Sequence, residues 1–344
     1  MKSETETTIL VDVPSSNGSV WRVIPTTTDG VIQLNILNAK PLFLNNQQPL
    51  YQGSWVMKLD LAIRLAMPEH LCAIVHGPAT QDPGYTIAPG LIDSGYRGVV
   101  CAVGIFSAPI CEFPPETLRL RISFFILSQT SLTFTSPRLH PISANLIVNT
   151  APDDSIDGPI EHSVIYTGKL VQTDGLTMRV NEVVVFKPRR PEDAGRDIIT
   201  HKLLKVPPNG KVALKPSLCE VKLTGTEAVY VLGRSSLNAR GILVKPTRWL
   251  PKQQCVFLVH NITNEEVVLP EGSKIAQIIH TKVPIGWIAP SYSNCVAGVT
   301  SSPPHTLPSL PNPPPYATIV IAKDFDREAP PSERGTGGFG STGL

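Results

Sequence analysis

The eleven residues from Arg334 to Leu344 combine groups that could hold an anion. Five of them are glycine, and they stand beside Arg334, Phe339, Ser341 and Thr342. Glycines let successive backbone N–H groups turn toward one anion without a steric penalty. The hydroxyls of Ser341 and Thr342 add donors, and the Arg334 guanidinium has the fork that suits phosphate oxygens. An aromatic ring in such a tail has work to do only if it covers something flat. The combination predicts a lid over a nucleotide, with glycines for the phosphates and Phe339 for the base. A Walker A loop is excluded, since that pattern needs a lysine and none lies in this stretch. A flexible glycine-rich tail is the plain alternative.

Four upstream segments agree with the lid. They are Gly90-Leu91-Ile92-Asp93-Ser94-Gly95-Tyr96-Arg97-Gly98, Ala194-Gly195-Arg196-Asp197, Arg234-Ser235-Ser236, and Gly272 to Gln277 with its Ala276-Gln277 pair. On these five segments the chain resembles the dUTPase family, whose motifs run G-x-I-D-x-x-Y-x-G, A-G-x-D, R-S-S/G, G-x-x-x-A-Q and R-G-x-G-G-F-G-S-T-G. The second and third patterns are short and unspecific alone. The first and last are long, and the set of five is specific.

The resemblance implies hydrolysis of dUTP to dUMP and pyrophosphate by water attack on the α-phosphorus. That reaction lowers dUTP and supplies dUMP for thymidylate synthesis. Asp93 is the expected base, where its residue type alone would suit a turn before Ser94-Gly95. Tyr96 is expected flat against the deoxyribose, excluding a 2′-hydroxyl by clash. Gly90, Ile92 and their backbone would read the uracil edge. Arg234, Ser235 and Ser236 would hold the α- and β-phosphates, and Gln277 would contact the α-phosphate or a backbone group of the site. Arg334, Gly340, Ser341 and Thr342 would bind the γ-phosphate end, with Phe339 stacked on uracil. Mg²⁺ is the implied cofactor, oriented by Asp197 through water and carried mainly by phosphate oxygens, so no preassembled metal cage is expected.

The motif order is unusual for this family, because the Asp-Tyr segment comes first. An internal repeat accounts for it. Cys72 to Thr80 aligns with Val229 to Leu237, and Pro115 to Leu118 with Pro270 to Ser273, at an offset of about 155–157 residues. Each half lacks the motifs the other keeps. The pattern resembles the duplicated, monomeric herpesvirus dUTPases of the alphaherpesvirus type, with one site per chain. The expected architecture is all-β, two dUTPase-like jelly-roll units in one chain. Residues 1–150 form the first half, 151–287 the second, 288–331 a proline-rich tether and 332–344 the lid.

Composition bounds the remaining possibilities. The 344-residue chain has a net charge of +2, with no basic block to track nucleic acid. Its six cysteines show no C-x-x-C spacing. The N-terminus does not read as a signal peptide, and the apolar run Ile122 to Leu127 is too short to span a bilayer. A cytoplasmic or nuclear protein is therefore expected, not a secreted one, and the resemblance implies that the cell is a herpesvirus host. Its 34 prolines disfavour long helices. Val180 to Phe186, Val256 to Val259 and Lys274 to Ile279 are expected strands, and Lys58 to Met67 fits a short helix or a strand, with strand favoured. The competing functions are a dCTP deaminase-type enzyme and a catalytically weak dUTPase-fold protein acting in host interaction.

Overall fold

The computed structural model describes residues 7–13, 19–28, 30–45, 54–78, 84–129, 133–135, 170–173, 176–185, 190–200, 202–216, 220–223, 225–251, 255–288 and 317–337. The chain is almost entirely β, with only two four-residue helices among the described residues, Ser235–Asn238 and Phe325–Glu328. Short apolar runs punctuated by proline and turn residues pay off as strands rather than helices. The expected strands at 180–186, 256–259 and 274–279 fall within or across Leu176–Val185, Phe257–Asn261 and Lys274–Thr281. The run from Lys58 to Met67 instead splits into Trp55–Asp60 and Arg64–Ala66. Ala62 lies between them in the left-handed region, φ 53°, which an extended strand cannot accommodate.

Two β bodies follow the two halves of the sequence. In the first, a five-stranded sheet runs in the order Trp21–Thr28, Val31–Asn38, Arg119–Ile126, Leu71–His76, Gly90–Ile92. It shares one core with a sheet built from Trp55–Asp60, Cys101–Phe106 and Tyr85–Ala88. Leu34, Ile36, Ile122 and Phe124 meet Leu59, Ala102 and Phe106 there. The second body is a nine-stranded sheet whose central members include Arg196–Thr200, Lys274–Thr281 and Ala228–Gly233. Its core holds Val229, Val231, Trp249, Phe257 and Ile278.

The internal repeat is visible in strand register. Phe124 pairs with Ala73 and Phe125 with Cys72 in the first half. Ile278 pairs with Val231 and Ile279 with Tyr230 in the second. Ala73 and Phe124 face the first core, as Val231 and Ile278 face the second. Cys72, Phe125, Tyr230 and Ile279 all turn to a third apolar layer between the halves. By facing, Cys72 matches a layer-facing residue such as Tyr230 and not Val229, which faces the second core and which the sequence alignment paired with it. Phe125 likewise corresponds to Ile279, one residue short of His280. A one-residue slip on a strand turns every side chain to the opposite face, and sequence similarity alone did not detect it.

The proline-rich span assigned to 288–331 ends in ordered elements. Thr318–Ile321 adds as a parallel strand to Thr8–Asp12, which also pairs with Arg64–Ala66. Phe325 is buried beneath the Arg64 guanidinium, 4.6 Å from its ring centre. Arg64 is also bonded to Asp12 at 2.7 Å and Asp326 at 2.6 Å. The physical reason is local composition. Proline density falls after Pro315, and Thr318-Ile319-Val320-Ile321 is a β-branched run suited to a strand.

Candidate active site

The site lies where the two bodies meet. Gly90–Ile92 is the edge strand beside Leu71–His76, and the chain turns immediately after it at Asp93. A Cβ at Gly90 would lie 3.0 Å from Val75 Cγ1 and 3.6 Å from Ser235 Oγ, so this backbone closely faces the second half. Asn238, on the short helix that follows Arg234, donates through Nδ2 to the Pro89 carbonyl at 3.2 Å. Val75, Gly90, Ile92, Asp93, Tyr96, Ser235 and Arg334 line one small cavity. The structure thus brings Gly90, Ile92, Asp93 and Tyr96 together with Ser235 and Arg334.

Asp93 is 7% exposed. Its Oδ1 accepts the Ala194 N–H at 2.8 Å, and Arg334 Nη1 lies 2.5 Å from Oδ2. Burial pushes this carboxyl above its ordinary range. The Arg334 charge and the Ala194 N–H oppose that shift, and Asp193 reinforces it. The same Arg334 nitrogen also binds Asp193 Oδ1 at 2.8 Å, so one guanidinium serves two carboxylates. Tyr96 is half-buried, and its hydroxyl donates to the Val99 carbonyl at 2.8 Å.

The second half contributes a charged cluster across three neighbouring strands. Asp197 is the cross-strand partner of Gln277, and Gln277 of Leu232, two residues before Arg234. Asp197 is in close contact with Arg234 and lies 3.3 Å from Lys274 Nζ. Gln277 donates through Nε2 to the Gly233 carbonyl at 3.0 Å, fixing the strand end from which Arg234 and Ser235 project. Ser236 sits in the short helix, half-buried. Phe339, Gly340, Ser341 and Thr342 lie outside the described residues.

Sequence reasoning did not single out Arg97, Glu192, Asp193, Lys274 or Ser332, although each packs into or beside this site. The signal available was the acidic pair Glu192-Asp193, placed directly before Ala194-Gly195. Among the described residues, no group of three or more His, Cys, Asp or Glu side chains is placed to hold a metal. Asp197 is already matched by two cations. That donor chemistry fits an orienting role through water and does not fit direct coordination by a carboxylate cage.

These features define an all-β protein with a cavity between its halves, a buried carboxylate on one wall and arginine, serine and lysine near it. A family model described as dUTPase matches residues 181–295. The deoxyuridine 5'-triphosphate nucleotidohydrolase of Human herpesvirus 1 (strain 17) is 38% identical over 362 residues, covering 95% of this chain and 95% of that protein. The protein of the same name from Human herpesvirus 2 (strain HG52) is 36% identical over 365 residues, covering 98% of each. The solved native EIAV dUTPase is 21% identical with a TM-score of 0.26, covering 29% of this chain and 82% of that one. The chain belongs to the dUTPase family, in its herpesvirus form.

Proposed function

We propose that this chain hydrolyses dUTP to dUMP and pyrophosphate at the cavity between its halves. The observation that carries the reading is the meeting of Gly90, Asp93 and Tyr96 from the first half with Ser235 from the second, in a family member. Asp93 takes the proton of the attacking water. A buried carboxylate whose proton affinity is raised is a stronger base than a solvated one. Tyr96 lies against the deoxyribose and rejects a ribose by clash. The Gly90 and Ile92 backbone reads uracil.

Arg234, Ser235 and Ser236 position the phosphates, and Gln277 supports that group through the Gly233 carbonyl. Mg²⁺ would be held by phosphate oxygens, with Asp197 orienting its water shell, and would neutralise charge on the phosphates when bound. Arg334, which stands beside Asp93, binds the γ-phosphate end with Gly340, Ser341 and Thr342, and Phe339 stacks on uracil. One site per chain and a monomeric state follow from the reciprocal loss of motifs. No nucleic-acid or membrane partner is invoked, and among the described residues no helix is long and apolar enough to cross a membrane. Action in the cytoplasm or nucleus of the host cell accords with this substrate.

The test is release of pyrophosphate from dUTP with Mg²⁺, with UTP, dCTP and dTTP as competitors and EDTA as the metal-free control. Turnover confined to dUTP and lost in EDTA is expected. Release of ammonia from dCTP would favour the deaminase alternative. Nucleotide binding without turnover would favour the host-interaction one.

A further inference from the structure

Glu192 lies outside every motif used above, yet three donors converge on its side chain. Ser332 Oγ is 2.9 Å from Oε2, the Arg334 N–H donates to Oε2 at 3.2 Å, and the Glu333 N–H donates to Oε1 at 3.3 Å. The Ser332 hydroxyl also contacts the Gly95 carbonyl, and it accepts the N–H groups of Arg334 and Gly335 at 3.1 and 3.2 Å. Arg97 holds the same segment from the other side. Its backbone N–H donates to the Gly335 carbonyl at 2.8 Å, and its Nε donates to the Pro330 carbonyl at 3.1 Å. Residues 330–335 are therefore gripped at both ends by groups that are neither catalytic nor aimed at a phosphate.

The cleft that admits Glu192 is built for it. A Cβ at Gly95 would lie 2.0 Å from Glu192 Oε2 and 2.6 Å from its Cδ. Gly95 is not among the positive-φ glycines, so its backbone would tolerate another residue, and the three atoms nearest an added Cβ all belong to Glu192. Burial raises the Glu192 carboxyl, but the bonds from Ser332, Arg334 and Glu333 and the charge of Arg97 outweigh it and hold it below its ordinary range.

We propose that Glu192, seated in the Gly95 cleft, is the positioning residue of the C-terminal arm. It docks the base of the arm so that Arg334 arrives at Asp93 before nucleotide binds. The inference rests on the dUTP-hydrolase reading for its kinetic consequence, and on the hydrogen bonds alone for the dock itself. Undocking reduces the fraction of chains competent to bind, and apparent affinity falls by that fraction. Saturating nucleotide restores the docked state, so the cost falls on KM and spares kcat.

Glu192→Gln is the discriminating variant, because it keeps size while turning an amide N–H toward donors. Hydrogen exchange of the full chain, without nucleotide, should show faster exchange at residues 333–335 and no change in the two cores. The KM for dUTP should rise on the order of 10-fold, the loss expected for hydrogen bonds to a charged group, with kcat within about threefold. Gly95→Ala should reproduce this by expelling Glu192, and the double variant should be no worse than either single one. Unchanged exchange at 333–335 would overturn the dock. Faster exchange with wild-type KM, or a fall in kcat at unchanged KM, would overturn the positioning role. A wild-type chain inert toward dUTP would sink the functional reading, while the exchange comparison would still decide the dock.

Discussion

Asp93→Asn separates the chemistry of the site from its architecture. Asparagine keeps an oxygen to accept the Ala194 N–H but cannot take a proton from water, and it turns an amide toward Arg334. Loss of a general base costs ~10²–10⁴ in rate, equivalent to ~2.7–5.4 kcal/mol of barrier at 1.36 kcal/mol per decade. Stability should move little at neutral pH, since two terms oppose each other. The lost bond to a charged partner is worth ~1.5–3 kcal/mol, and the variant escapes the cost of burying a carboxylate. An imbalance of ~1 kcal/mol would shift Tm by only ~1–2 °C in a chain of this length.

The pH dependence has a definite sign. The folded-state pKa of Asp93 is raised, so its proton-linked stability is fully present below the unfolded value of ~3.9 and is lost as pH rises through the folded pKa. Asparagine lacks this dependence, so the Tm of the variant relative to wild type should be highest at neutral pH and fall as pH falls. The kcat/KM of wild type should show an acid limb above ~3.9, because the base must be ionised in the free enzyme. Stopped assays of pyrophosphate release, beside thermal melts across pH 4–8, supply both readings. A variant within tenfold of wild-type turnover would remove Asp93 as the base. An acid limb at or below the ordinary aspartate value would refute the argument from burial.

Three further outcomes are expected. Tyr96→Ala should admit UTP and reduce the dUTP-to-UTP ratio of kcat/KM by ~10-fold or more, measured by direct competition. Light scattering should return the mass of one chain, and titration with a non-hydrolysable dUTP analogue should saturate at one per chain; two sites would contradict the reading of decayed motifs. Phe125→Ala opens the apolar layer between the halves and should cost ~3–5 kcal/mol, with activity lost at a lower urea concentration than in wild type. Unchanged activity and stability in that variant would argue against a site that depends on both halves.

Much of this site was legible in sequence because its residues sit in turns and strand ends with restrictive chemistry. Gly90, Asp93 and Tyr96 lie within nine residues of one another, and Arg234-Ser235 follows a fully buried strand. What escaped was the set of contacts made across distance. Nothing near Glu192 in the chain marks it as a partner of Ser332, which is 140 residues away. Nor does the β-branched run Thr318 to Ile321 name its partner, which is the edge of Thr8–Asp12 at the other end of the chain. Long-range pairing depends on which edges remain free after the halves fold, and no local window carries that information.

The corrected register also accounts for the asymmetry between the halves. With Cys72 matched to Tyr230 and Phe125 to Ile279, His76 takes the position of Arg234 and Ser123 that of Gln277. The second half has a permanent cation there; the first has an imidazole in a buried setting. His76 Nε2 is 2.8 Å from Ser123 Oγ, and its Nδ1 is 2.7 Å from the Gly77 carbonyl. Burial lowers its pKa to about 4, against the pull of the Gly77 carbonyl and assisted by Arg121. It is therefore neutral where an anion would need a charge. Trp287 stacks on the ring at 4.6 Å and covers one of its faces. On the proposed duplication, the first half carries a packed imidazole at the position where the second half carries the Arg234 cation.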